Sequence, residues 1–299
     1  MKIIMAQPEV VRFEWEIATA LTNLYDLGFD THDVVLLFAK DDAGIPARLH
    51  ATFGCEIHEY DDIRQYKGYI PSIKPYLWWQ YLQEDKTREN ETYYYTDSDV
   101  IMRELPDFAR IIAQASPRQW IAADCSGYLS QNYIKHCENG DTLKSSMLSV
   151  IGLDHNLLDG RESEGPGAQW LIVSPTAEYW YSVYVACSKL YLYLNTQRSN
   201  IQKWTAEMWA QYWLALDAGV EILADDDLSF CWPTDPLSKW QKHKLLHDAG
   251  VHHGEDMFCK SDYIRNYPWG SDMSYVNGSK CSIMYVKALQ KAGRRYGAK

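Results

Sequence analysis

"KIIMAQPEVVRFEWEIATALTNLYDLGFDTHDVVLLFA", residues 2–39, holds two short apolar runs separated by a stretch of a different period. "KIIMA" (2–6) and "DVVLLFA" (33–39) are apolar without alternation, which suits strands buried on both faces of a parallel sheet. Between them, "RFEWEIATALTNLYDLGF" (12–29) spaces its apolar residues at helical intervals and meets Gly28, a residue suited to ending a helix. "AGIPARLHATFG" (43–54) reads as a second helix and "CEIHEY" (55–60) as a third strand. This β-α-β-α-β order predicts an α/β fold with one doubly wound, mostly parallel sheet and right-handed crossovers.

Downstream, a loop "DDIRQYKGYIPSI" (61–73) precedes a helix "KPYLWWQYLQE" (74–84) and a strand opening "TYYYTDSDVIMREL" (92–105). "PDFARIIAQA" continues as helix and "RQWIAA" as strand. Residues 136–168 are rich in Gly, Ser, Asn and Asp with weak periodicity, and read as a long functional or mobile loop. "AQWLIVS" then resumes a strand, followed by helices "TAEYWYSVYVACSKLYLYL" and "WTAEMWAQYWLALDAG" and a strand "VEILA". With no repeat and no linker, one domain over residues 1–262 is expected, with a basic tail over 263–299.

The 299 residues suffice to bury a sizeable core, and 46% hydrophobic with 23% charged residues is ordinary for a globular chain. Twelve Trp and 22 Tyr are not ordinary. Most must be core, and the remainder offer flat surfaces for sugars or bases. The apolar run at the start is too short for a signal peptide, and no stretch reaches the roughly 18 apolar residues of a membrane span. Seven scattered cysteines without a CxxC pair point to reduced thiols rather than a disulfide framework or zinc knuckle. A cytoplasmic setting is therefore expected. The net charge of −11 disfavours a general polyanion binder. After Asp272, however, there is no further acid, and Lys280, Lys287, Lys291, Arg294, Arg295 and Lys299 follow: a solvated helix or a phosphate-contacting arm.

Asp97 and Asp99 stand two apart at the end of the Tyr-rich strand. In open α/β sheets, ligands gather at the carboxyl ends of strands. Hard carboxylates there suit Mg2+ or Mn2+, which keeps positions free for phosphate oxygens. The alternative is an acidic turn. "VIM" returns the chain to apolar surroundings at once, and two buried carboxylates without a cation are costly. A third ligand is expected, and "KLLHDAGVHHGEDMFCK" (244–260) offers His247 after an apolar pair, at a turn. His252 and His253 read as structural residues or substrate contacts. Lys260 is placed to neutralise a diphosphate leaving group.

The succession "SIKPYLWWQYL … YYYTDSDVIMREL … GAQWLIVSPTAEYW … KWTAEMWAQYWLALDAGVEILADDDLSF … LLHDAGV" resembles GT-A glycosyltransferases. Within them it is most similar to the hydroxyproline O-arabinosyltransferases and peptidyl serine galactosyltransferases. The resemblance runs over roughly residues 70–260 through Lys74-Pro75 with Trp79, Asp97-Ser98-Asp99, Trp204 with Glu207-Met208, Asp225-Asp226-Asp227, and His247 with Gly250. The family's "HYG" is spread here to His-Asp-Ala-Gly. The resemblance implies transfer of a pentose or hexose from a nucleoside diphosphate, UDP the first choice, with retention of configuration. It implies metal on Asp97, Asp99 and His247, with Asp97 also towards the ribose. Lys74 and Lys260 would contact phosphate, and Gln7, at the end of the first strand, would lie beside the nucleoside. Glu207, Gln169 and Asp124 are assigned to the sugar, and residues 136–168 to the acceptor side. The three acids 225–227 contact acceptor or merely turn the chain. Trp170, Trp204 and Trp209 are expected in the core. In a retaining reaction the departing phosphate oxygen takes the acceptor's proton, so no strong base is needed.

The acceptor is left open between a peptide or glycan hydroxyl and the hydroxymethyl group of a modified pyrimidine in DNA, as in bacteriophages that glycosylate their genomes. Base flipping would use the aromatic surplus, and the basic tail would meet phosphates. A catalytically inactive sugar-nucleotide-binding module and a metal phosphodiesterase are the competing classes. The latter needs more His and Asp ligands than these positions supply.

Overall fold

The computed structural model describes residues 1–297 of the chain. Strand β1 (Lys2–Pro8) leads through helix α1 (Val11–Asp26) to β2 (Val34–Ala39), and α2 (Ile45–Phe53) to β3 (Glu56–Tyr60). Next come α3 (Ile73–Glu84), β4 (Thr92–Tyr95), β5 (Val100–Met102), α4 (Phe108–Gln114) and β6 (Gln119–Asp124). Helices α5 (Ser126–Leu129), α6 (Gln131–His136) and α7 (Gly140–Ile151) precede β7 (Pro166–Val173), α8 (Ala177–Thr196), α9 (Ala206–Asp217) and β8 (Glu221–Ala224). Last in order are β9 (Phe230–Cys231), α10 (Leu237–Trp240), β10 (Leu245–His247) and α11 (Ser282–Arg295).

A seven-stranded sheet takes the order β3-β2-β1-β4-β7-β6-β8, and a three-stranded sheet the order β5-β10-β9. β1 and β2 are parallel from Ile3 opposite Val34 to Pro8 opposite Ala39, and β6 and β8 are parallel as well. The α/β class with a mostly parallel sheet is as expected. β7 departs from it, running antiparallel to both β4 and β6. Its sequence hides this, because a strand buried on both faces is apolar throughout whichever way it runs.

The chain divides into two compact units. One comprises residues 2–59, 96–108 and 226 onward. It holds β1, β2, β3, the three-stranded sheet and helices α1 and α11. α1 stops where the sequence predicts. Gly28 takes a left-handed φ of 81° and donates its N–H to the Tyr25 carbonyl, while Phe29 N–H reaches back to Leu24. The core of this unit joins Trp15 of α1 with Ile101, Leu246, Phe258, Tyr285, Val286 and Leu289. As far as it is described, the basic C-terminal stretch packs onto this unit. α11 buries Tyr285, Val286 and Leu289, and on its other face Lys291 and Arg295 pair with Asp26 of α1. Lys299 lies outside the described residues.

The other unit comprises residues 60–95 and 109–225, with strands β4, β6, β7 and β8. Here most of the aromatic surplus is spent. Tyr93 and Tyr95 share one face of β4 by strand alternation, and both meet the Trp78 ring of α3 edge-on at 5.1 and 5.7 Å. Trp78 in turn stacks on Trp180 of α8 at 4.8 Å. Residues 136–168, expected as loop, contain α7, which buries Leu143, Met147 and Leu148 and follows Asn139 at a φ of 61°. Its five apolar residues, Leu143, Met147, Leu148, Val150 and Ile151, do fall at helical intervals, but the Gly, Ser, Asn and Asp of the surrounding stretch hide them.

Candidate active site

The site begins with strand register in the first unit. β5 pairs antiparallel with β10, so Val100 lies opposite His247, Ile101 opposite Leu246 and Met102 opposite Leu245. One further backbone bond, from Asp248 N–H to the Asp99 carbonyl at 2.9 Å, extends the ladder into the turn. A three-residue pairing thus carries a distant histidine to the acid pair. Thr96 N–H holds the near side of the turn to the Ile4 carbonyl of β1. The turn is also tied from above α1, since Ser98 donates to Glu16 at 2.8 Å and Arg12 donates to the same carboxylate at 2.7 Å.

The result brings together the three residues singled out as metal ligands. His247 Nε2 lies 3.2 Å from Asp99 Oδ1 and 3.8 Å from Asp97 Oδ2. Asp97, Asp99 and His247 each present a ligand atom, and all these atoms fall within 4.8 Å of one another. The imidazole is held by rings: Trp232 stacks on it at 5.6 Å and Phe230 tilts against it at 5.3 Å. Its Nδ1 is buried with no hydrogen-bond partner among the described residues. Lys260, expected at a phosphate, lies beside them with its ammonium paired with Asp99 Oδ2.

The electrostatics follow from burial. Desolvation pushes the Asp99 carboxyl up, but Lys260 and His247 more than reverse this and hold it well below the usual carboxylate range. Lys260 loses by burial and gains more from Asp99 and Glu16, so it is held above its ordinary value. Asp248, which the sequence reading passed over, goes the other way. It is buried without a hydrogen-bond partner for either carboxylate oxygen. Burial, then Asp99 and Glu16, raise it well above the carboxylate range against the pull of Lys260.

Two acids and an imidazole converging beside a lysine fit a hard divalent cation such as Mn2+ or Mg2+. Asp99 already needs positive charge to remain ionised in this setting, and Lys260 provides it.

Of the remaining candidates, Gln7 belongs to the unit that holds the cluster, and Lys74, Asp124, Gln169 and Glu207 to the other. Gln7 is buried on β1 and commits its amide N–H to the Leu37 carbonyl of β2. Lys74 sits in the first turn of α3, in the second unit. Asp124, at the end of β6, is exposed and accepts the Ser126 N–H at the start of α5. Gln169 belongs to a bulge in β7, where pairing shifts between Ala122 and Ala123 and Ala168 adopts a left-handed φ of 55°. The Gln169 side chain is fully buried, and neither amide atom has a hydrogen-bond partner among the described residues. Bulges of this kind re-aim a side chain and are common beside active sites. Glu207 is buried in the first turn of α9, its backbone N–H bonded to the Tyr69 hydroxyl at 2.9 Å.

In the acidic run, Asp225 forms a two-pronged pair with Arg110 at 2.7 Å, and Asp227 pairs with Lys244 at 2.9 Å. His253 is exposed and bonds Asp262. Trp170 and Trp209 are core, as expected. Trp204 is not: it is 58% exposed. The short 3-10 turn ahead of α9 places it on the surface rather than on the helix's buried stripe.

No family model matches the chain, and no curated protein does. Solved structures do. The galactosyltransferase LgtC, determined with donor and acceptor sugar analogues, aligns over 97% of this chain and 95% of its own, at 12% identity and a TM-score of 0.51. The bifunctional glycosyltransferase WbbM aligns over 96% of this chain, at 8% identity and a TM-score of 0.51. This chain spans about half of WbbM, 51% of its length. The fold is GT-A. At such identities the likeness speaks for architecture, and the chemistry rests on the side chains described above.

Proposed function

We propose that this chain is a divalent-metal-dependent glycosyltransferase that moves a sugar from a nucleoside diphosphate, UDP the first candidate, to an acceptor hydroxyl. The observation that carries this reading is the convergence of Asp97, Asp99 and His247 within 4.8 Å in a GT-A fold, with Lys260 beside them. A bound Mn2+ or Mg2+ supplies charge that binds a diphosphate and stabilises it as it departs. Asp97, Asp99 and His247 would hold that ion. The Ser98–Glu16–Arg12 ties keep the turn from moving when charge at the site changes. Lys260 adds a second positive centre for the leaving phosphate.

Following the resemblance, we assign retention of configuration. The bond from the anomeric carbon to the phosphate oxygen breaks, and the acceptor oxygen bonds that carbon on the same face. The acceptor's proton passes to the departing phosphate oxygen. Glu207, Gln169 and Asp124 are kept as sugar contacts on the same ground, with the unpartnered Gln169 amide the best supported of the three. For the acceptor we favour a glycan or peptide hydroxyl over DNA. Of the basic C-terminal residues, Lys291 and Arg295 pair with Asp26, and Arg295 lies over the Tyr25 ring at 3.8 Å.

Incubation with a panel of UDP-pentoses and UDP-hexoses tests the proposal. The expected result is Mn2+-stimulated release of UDP from at least one donor, abolished by chelator. No release from any donor with any divalent ion, while nucleotide still binds, would favour a binding module.

A further inference from the structure

Beyond the rings spent in the core, the second unit carries a row of aromatic side chains that reaches solvent. It begins at Tyr69, whose hydroxyl accepts the Glu207 N–H and donates to the Trp204 carbonyl at 2.6 Å. Trp204 meets the Tyr69 ring edge-on at 5.8 Å, and Tyr191 stacks on its face at 4.1 Å. Tyr66 follows at 6.4 Å from Tyr191. The neighbouring Gln65 N–H bonds the Tyr184 hydroxyl, and Tyr184 lies parallel to Trp79, which packs on Tyr181 at 4.8 Å.

Tyr181, Tyr184, Ser188 and Tyr191 fall at three- and four-residue intervals along α8, so they form one stripe about 15 Å long. Trp204, Tyr181 and Tyr66 are 58%, 45% and 37% exposed. Leaving rings of this size in water along one line is costly unless something covers them.

We infer that this row is a carbohydrate-binding surface that holds the sugar rings of an extended glycan acceptor, an inference that rests on the glycosyltransferase reading above. Three observations choose the occupant. The row is built chiefly of Trp and Tyr, which offer flat faces to the C–H side of a pyranose and hydroxyls to its edge. It is continuous with Glu207, one of the residues assigned to the sugar. Its charge is also mixed rather than a cationic track of the kind a polynucleotide needs: Asp61 and Asp62 share the loop with Tyr66, Arg64 there is engaged by Asp62, Lys67 acts on the same Asp62, and Lys203 beside Trp204 donates to the Gln197 carbonyl. Ile63 and Ile70 on the same loop are exposed too, so a second copy of the chain is the competing occupant.

The test titrates the full chain with cellohexaose, maltohexaose and chitohexaose, followed by tryptophan fluorescence and saturation-transfer NMR. A single-stranded oligothymidylate is run in parallel. At least one hexasaccharide should bind, and its monosaccharide should bind far more weakly. Tyr181→Ala and Trp204→Ala should each weaken binding about fivefold, whereas Tyr181→Phe retains it. Thermal midpoints of the variants check that they fold.

The inference is overturned if none of the three binds at millimolar saccharide, or if the alanine variants bind as wild type does. It is equally overturned if the oligothymidylate binds in place of the saccharides, or if the chain dimerises through this face and saccharide leaves the dimer intact. UDP-sugar hydrolysis by wild type separates the two readings. Hydrolysis without saccharide binding removes the surface alone, and saccharide binding without hydrolysis of any donor removes the transferase.

Discussion

Asp99 shows most clearly what single residues do here. It is buried, yet held ionised by Lys260 and His247, so a divalent cation arriving at the site must compete with a lysine already in place. Lys260→Met should therefore bind Mn2+ more tightly than wild type, by about tenfold for the roughly 1.4 kcal/mol that one nearby charge contributes. Turnover should fall in the same variant. Calorimetry of Mn2+ binding checks this, and unchanged affinity would show that Lys260 does not oppose the ion. A second residue gives a pH signature away from the site. Glu56 on β3 is pulled down to about 2, first by its hydrogen bond to His58 and, against burial, by Lys2. A depressed carboxyl stabilises the fold above its ordinary pKa, and that contribution is lost as pH falls towards 2. Glu56→Gln should flatten the thermal midpoint's dependence on pH below about 4.3, the usual glutamate value. The convergence of Asp97, Asp99 and His247 was legible in sequence because the side chains that suit a hard cation are few and all three stand at strand ends. Asp248, Glu16 and Ser98 were not. Acids buried on an apolar helix, as in "RFEWE", look like solvated ones until neighbours are known.

At the scale of elements, the three-residue strands β5 and β10 decide the site, since their register alone sets His247 against Val100. Strands so short show no period: in sequence β5 is only the apolar "VIM" and β10 only the pair "LL" ahead of His247, and nothing there pairs them. The longer elements were visible: β1, β2, α1 and α8 announce themselves by continuous or helical apolar spacing, and Gly28 closes α1 as read. Direction and detour were not, which is why β7 and α7 depart from expectation. Stacking between α3 and α8 supplies much of the second unit's cohesion. Trp78→Ala removes a fully buried ring that touches Tyr93, Tyr95 and Trp180. It should cost about 3–5 kcal/mol in denaturant unfolding. A loss below about 1 kcal/mol would mean that the aromatic cluster repacks freely.

At the scale of the molecule, the sequence predicts one α/β domain, and the fold class follows the pattern of alternating strands and helices. The two compact units escape a linear reading because each is assembled from separated segments, residues 2–59, 96–108 and 226 onward in one and 60–95 with 109–225 in the other. No composition shift marks those borders. One unit holds the whole Asp97–Asp99–His247 cluster, so the geometry of the cluster is a property of that unit's own register and packing. The most direct measurement is calorimetric titration of UDP into the chain with and without Mn2+, for wild type and Asp99→Asn. The account predicts UDP binding that requires Mn2+ in wild type and is lost in a folded Asp99→Asn variant. Equal UDP affinity with and without the ion, or in both proteins, would contradict it.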